Sequence, residues 1–73
     1  MTPVELGAHI RTTRIAQHLR QEQLAAAAGV GIRFLVELEA GKPTAQLGKT
    51  LKVLDTLGCR VEITASYRPG DRT

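Results

Sequence analysis

A three-residue break, Gly29-Val30-Gly31, separates two short apolar-periodic segments and constrains the fold more than any other feature of this chain. The segment before the break covers residues 21–28, and the segment after it covers residues 32 to about 40. The residues spaced to face inward are Leu24, Ala25, Ala28, Leu35 and Leu38. Because glycine ends the first segment and so few residues follow it, we expect two helices packed at a sharp angle.

Two longer helical segments are predicted on either side of this pair. Thr2 is expected to cap the first of them, since Glu5 follows three residues later and Pro3 suits the first helical position. The last helix is predicted from residue 44, with Thr44 as its cap, to about residue 57. Its apolar stripe consists of Leu47, Leu51, Val53, Leu54 and Leu57.

After Cys59 the apolar residues alternate instead of following a helical period. Val61, Ile63 and Ala65 share one face, which predicts a single half-buried strand over residues 60–67. No other segment resembles a strand, so its backbone groups lack a partner within the chain. The simplest partner is the same strand of a second copy, antiparallel across a two-fold axis. The sequence therefore predicts a homodimer, and the alternative is a disordered tail.

The overall expectation is one mainly α domain over residues 1–67, followed by a flexible tail over residues 68–73. The formal charge of +3 permits a nucleic-acid partner without requiring one. Cys59 is the only cysteine, which excludes a disulfide framework within one chain. The scattered carboxylates and the isolated His9 and His18 predict no enzyme activity, no metal site and no cofactor. Neither a signal peptide nor an apolar membrane span is recognisable, so we expect a cytoplasmic protein.

A longer pattern of residues spans the two central helices and the positions just after them. It runs Gln21-x-x-Leu24-Ala25-x-x-x-Gly29-Val30 and then Leu35-x-x-Leu38-Glu39-x-Gly41-Lys42. Over residues 10–58 the chain resembles the phage-repressor-like, or Xre, helix-turn-helix family. A closer resemblance, to HipB-type antitoxins, is found in residues 41–49 and 53–58, which the strand follows directly. HipB-type antitoxins are the DNA-binding partners of HipA-type kinase toxins. The resemblance implies a four-helix lambda-repressor-like fold, a palindromic double-stranded DNA operator, and a HipA-like kinase as partner.

The resemblance also implies roles for individual residues. The positions that read bases are Gly31, Ile32, Arg33 and Glu37. Arg33 is the strongest candidate, since a guanidinium bonds the O6 and N7 atoms of guanine together. The positions that contact the DNA backbone are Gln21, Lys42, Thr44 and Gln46. Arg20, which departs from the family pattern, is expected to reach a phosphate as well. Arg14 and Glu39 occupy the positions of a structural ion pair.

Three positions depart from the family pattern. Arg20 stands where Ser or Thr commonly caps the second helix, and Gly31 replaces a common Ser or Thr before the third. Val36 replaces a residue that is commonly polar, and it either contacts a thymine methyl group or is simply an exposed apolar residue. These departures affect the operator sequence more than the fold.

Two other functions fit the same residues. One is a stand-alone Xre-family regulator without a toxin, such as a restriction-modification controller. The other is a protein-interaction module that docks a partner through the last helix and the strand. A kinase-like reading frame in the neighbouring gene favours the antitoxin over the stand-alone regulator. A partner retained in a pulldown, together with non-specific DNA affinity, favours the interaction module.

Overall fold

The computed structural model describes residues 1–66 of the 73. It contains four helices: α1 Pro3–Ala16, α2 Gln21–Ala28, α3 Ile32–Glu39 and α4 Leu47–Thr56. The predicted mainly α fold is confirmed, and α2 has the predicted bounds. The prediction for the start of α4 was wrong, because the helix begins at Leu47 and Gln46, rather than Thr44, is its N-cap. Residues 1–66 include no helix with the length and apolarity needed to cross a membrane.

The two ends of α1 have different local causes. At the start, the Thr2 hydroxyl accepts a hydrogen bond from the Glu5 N–H at 3.1 Å, and the Thr2 N–H donates to Glu5 Oε1 at 2.7 Å. The hydrogen bond from the Thr2 backbone holds the pKa of Glu5 below its ordinary value. At the end, His18 takes a left-handed conformation with φ +60°, and the chain turns toward α2.

The core lies where the four helices meet. α3 packs against α1 and α2, and α2 also packs against α4. The most deeply buried side chains are Ile10, Leu24, Leu35 and Val53, one from each helix. Gly7 lets α1 approach the end of α3 closely, because a Cβ atom there would lie 2.6 Å from the Glu39 carbonyl oxygen.

The apolar stripe of α4 is only partly covered. Val53, Leu54 and Leu57 are buried as expected, whereas Leu51 is exposed and Leu47 is 71% exposed. Between α1, α4 and residues 59–62 lies a groove of about 560 Å³. Three of the five stripe residues therefore build the core, whereas Leu47 and Leu51 lie exposed at this groove.

The predicted C-terminal strand is not confirmed. Residues 60–66 have no regular secondary structure in the single chain. Val61, Ile63 and Ala65 are all exposed, and Ile63 is 96% exposed. Residues 1–66 offer this segment no neighbouring strand, and a strand needs a backbone partner for its hydrogen bonds. Tyr67 and the predicted tail over residues 68–73 lie outside the described residues.

Candidate nucleic-acid interface

The turn between α2 and α3 determines how α3 is presented. Gly29 has φ +71°, a left-handed conformation that glycine adopts without strain. The Val30 N–H then donates to the Ala25 carbonyl at 3.0 Å, which closes the end of α2. Gly31 is extended and begins α3 without a side-chain cap. The turn therefore needs only these three residues.

One side of α3 is buried and the other faces solvent. Leu35 and Leu38 anchor the helix in the core. At 100° per residue, the opposite side carries Arg33, Val36 and Glu37, with Ile32 at its edge. Arg33, Ile32 and Val36 are exposed and Glu37 is half-buried. The four residues predicted to read bases, including exposed Gly31, thus lie at the start and on the outer side of one helix.

An ion pair joins α1 to the last turn of α3. Arg14 Nε lies 2.7 Å from Glu39 Oε2, and Arg14 Nη2 lies 3.0 Å from Glu39 Oε1. Arg14 Nη1 also donates to the Leu19 carbonyl at 2.8 Å. The hydrogen bond to Glu39 raises the pKa of Arg14, while burial acts in the opposite direction. The structure thus places both residues inside the scaffold, away from the outer face of α3.

Gln21 belongs partly to the same network. Its Nε2 donates to Glu39 Oε1 at 3.1 Å, a contact that the sequence analysis did not predict. Gln21 is the first residue of α2, where free backbone N–H groups and the helix dipole favour an anion. The bond to Glu39 therefore limits the orientations that the Gln21 side chain takes at the start of α2. A separation of 18 residues along the chain leaves no local pattern from which this bond could be inferred.

Arg20 is the N-cap of α2, at the position where the family commonly has Ser or Thr. Its backbone N–H donates to Gln23 Oε1 at 2.8 Å, so the third residue of α2 provides the cap contact. The Arg20 side chain lies 3.3 Å from Glu22 Oε1, and both side chains are largely exposed. The guanidinium is thus held near the start of α2 on the protein surface.

Two side-chain contacts join α3 to the residues that follow it. Lys42 Nζ lies 3.2 Å from Glu37 Oε1, which brings together a predicted backbone contact and a predicted base reader. Lys49 of α4 lies 5.7 Å from the ring centroid of Phe34, a cation–π contact that the sequence analysis did not predict. Thr44 and Gln46 are exposed in the loop between α3 and α4.

Two short helices joined by a tight glycine turn, with the outer side of the second helix exposed, define the helix-turn-helix class. The family model described as "Helix-turn-helix domain" matches residues 5–65. The chain belongs to this family. It is also similar to an uncharacterized HTH-type transcriptional regulator of Sinorhizobium fredii, y4mF, with 59% identity over 71 residues. That match covers 97% of this chain and 90% of the relative.

Proposed function

We propose that this protein is a sequence-specific DNA-binding transcriptional repressor. The observation that carries the proposal is the exposed outer face of α3, with Arg33, Val36 and Glu37 opposite the buried Leu35 and Leu38. A major groove about 12 Å wide accepts a helix presented in this way. The Sinorhizobium relative is named as a transcriptional regulator, which supports the same class.

In this proposal α3 lies in the major groove and Arg33 bonds the O6 and N7 atoms of a guanine. Gln21 and the N-terminus of α2 bind a phosphate, and the bond from Gln21 to Glu39 limits the orientations of its side chain. The other contacts to the DNA backbone come from Arg20, Lys42, Thr44 and Gln46. Such contacts fix the orientation of the protein on the duplex, and the base contacts provide the specificity.

Titration on duplex DNA tests this proposal. The probe is the region upstream of the gene, and the comparison is a scrambled duplex of equal composition. We expect Arg33→Ala to weaken binding to the specific duplex by about tenfold to a hundredfold and to relax the preference for one base pair. Arg11→Ala is the matched control, because it removes the same charge from an exposed position on α1. Equal affinity of the unaltered protein for both duplexes would overturn the proposal.

The repressor acts as a homodimer on a palindromic operator, with the two recognition helices about 34 Å apart. The support comes from apolar residues that a single chain leaves uncovered. Val61 and Ile63 are exposed, and the apolar side chains of Leu47 and Leu51 lie at the groove beside α4. A second copy covers both features if its C-terminal segment pairs with this one. Each chain then completes the other in the same way, as a two-fold axis requires.

The repressor is further proposed to be the antitoxin of a HipA/HipB-like pair that binds a kinase toxin and represses its own operon. The resemblance of residues 41–49 and 53–58 to HipB-type antitoxins supports this role. Co-expression with the kinase-like product of the neighbouring gene tests it, and a stable complex that neutralises the kinase is the expected result. The second candidate is a regulator without a toxin, and the name of the Sinorhizobium relative, an HTH-type transcriptional regulator, fits this candidate as well. Specific DNA binding with no kinase gene beside it would establish that candidate instead.

A further inference from the structure

The outer side of α3 carries two adjacent columns of different chemistry. Ile32 and Val36 are four residues apart and form an apolar column, with 44% and 43% of their surfaces exposed. Arg33 and Glu37, also four residues apart, form a polar column beside it. In a helix of eight residues, half of the positions therefore belong to this two-column face.

The fold does not require the apolar column. Leu35 and Leu38 anchor α3 from the other side, and neither Ile32 nor Val36 belongs to the core or to the partly buried residues packed on it. Both β-branched side chains therefore leave apolar surface exposed on the outer side of α3. Their position within the proposed DNA interface makes DNA the ligand that this surface contacts.

The charges around the column favour DNA over a protein partner. Glu37 is paired with Lys42 at 3.2 Å, which offsets the repulsion between its carboxylate and DNA phosphates. Arg33 forms no ion pair with any residue in the described part of the chain, so its guanidinium is available to a guanine. In the major groove, the apolar group that a base pair presents is the C5-methyl group of thymine.

We propose that Ile32 and Val36 contact thymine methyl groups in each operator half-site, next to the guanine bonded by Arg33. This inference rests on the proposed function and specifies the bases that the helix selects. An operator half-site then combines a guanine with one or two thymines on neighbouring steps. Burial of one methyl group changes a binding constant about fourfold, which sets the size of the expected effect.

Substitution of uracil for thymine tests the inference, because it removes only the C5-methyl group and leaves base pairing and charge unchanged. The operator is first selected from random duplexes with the full-length protein. Each thymine is then replaced singly by deoxyuridine and the dissociation constant is measured. We expect about fourfold weaker binding at one or two positions of each half-site.

The protein variants complete the test. With Ile32→Ala or Val36→Ala, the loss caused by uracil at the matching position should disappear. Ile15→Ala is the matched control, since Ile15 is a β-branched residue on α1 that is 51% exposed. In this variant, each uracil should weaken binding as much as it does with the unaltered protein. Specific binding that is insensitive to every uracil, or losses that persist in both alanine variants, would overturn the inference and leave the proposed function intact. Failure to select any operator would contradict the proposed function itself.

Discussion

The Arg14–Glu39 pair connects α1 to α3 through one side chain on each helix. The two side chains are only 10% and 4% exposed, so each charge depends on the other for its stability. We expect Arg14→Met to lower the free energy of unfolding by roughly 3–5 kcal/mol, because it leaves the Glu39 carboxylate buried without its partner. Urea denaturation followed by circular dichroism measures this change.

Two further variants separate charge from packing at this pair. The double variant Arg14→Met with Glu39→Leu should regain much of the lost stability, since no uncompensated charge remains. Glu22→Gln disrupts the exposed Arg20–Glu22 pair and should change the free energy of unfolding by less than about 1 kcal/mol. If Arg14→Met and Glu22→Gln lower the free energy of unfolding equally, the Glu39 carboxylate does not depend on Arg14 for its stability.

His18 carries backbone strain at the end of α1. Its φ of +60° lies in the left-handed region, which L-residues other than glycine enter at a cost. The Leu19 N–H, donating to the Arg14 carbonyl at 3.2 Å, holds the turn in place. We expect His18→Gly to raise the free energy of unfolding by about 0.5–1 kcal/mol and His18→Val to lower it. Thermal unfolding of the two variants measures both effects, and a lower melting temperature for His18→Gly would contradict this reasoning.

At the scale of elements, the contact between α1 and α3 depends on the absence of a side chain at Gly7. A Cβ atom at this position would lie 2.6 Å from the Glu39 carbonyl oxygen and 2.9 Å from its carbon, so the helices must move apart to accept it. We expect Gly7→Ala to lower the free energy of unfolding by about 1–3 kcal/mol, although alanine is the better helix former. Urea denaturation measures this loss of stability as a lower midpoint, with the dependence of the free energy of unfolding on urea concentration unchanged.

Gly48 supplies the matched control for this substitution. It lies in α4, and a Cβ atom there would meet nothing within 4 Å. Gly48→Ala should therefore raise the free energy of unfolding by about 0.5–1 kcal/mol through helix propensity alone. If Gly7→Ala lowers the free energy of unfolding and Gly48→Ala raises it, the close approach of α1 to α3 is the cause of the loss at Gly7. Stabilisation by both substitutions would show that α1 and α3 tolerate the added methyl group.

Local patterns in the sequence predicted the elements better than the contacts between them. The Thr2 cap and the Gly29 turn depend on residues a few positions apart, and the structure has both. The start of α4 was misplaced because Thr44 looks like a cap, while the Thr50 N–H donates to the Gln46 carbonyl at 3.0 Å and begins the helix there. The bond from Gln21 to Glu39 joins separate helices, and no periodicity encodes such a bond.

At the scale of the whole molecule, two surfaces of one chain have separate proposed tasks. The outer side of α3 is proposed to read DNA, while the C-terminal segment is proposed to join two copies. In the described part of the chain, Ile63 is 96% exposed and residues 60–66 form no backbone hydrogen bond. Substitutions in this segment should therefore cost the folded monomer little. Their effect should fall on self-association and, through it, on operator binding.

The alternation of apolar and polar residues after Cys59 separates the two faces of the proposed intermolecular strand. Ile63→Asp places a charge on the apolar face, which should abolish the dimer in sedimentation velocity while the helical circular dichroism stays unchanged. Thr64→Asp is the matched control, because it adds the same charge one residue away on the polar face. A dimer that survives both substitutions, or is lost equally in both, would show that strand pairing through the apolar face does not hold the two copies together.

Because two linked half-site contacts bind far more tightly than one, Ile63→Asp should also weaken binding to a palindromic operator by roughly a hundredfold or more. Binding to a single half-site should remain unchanged.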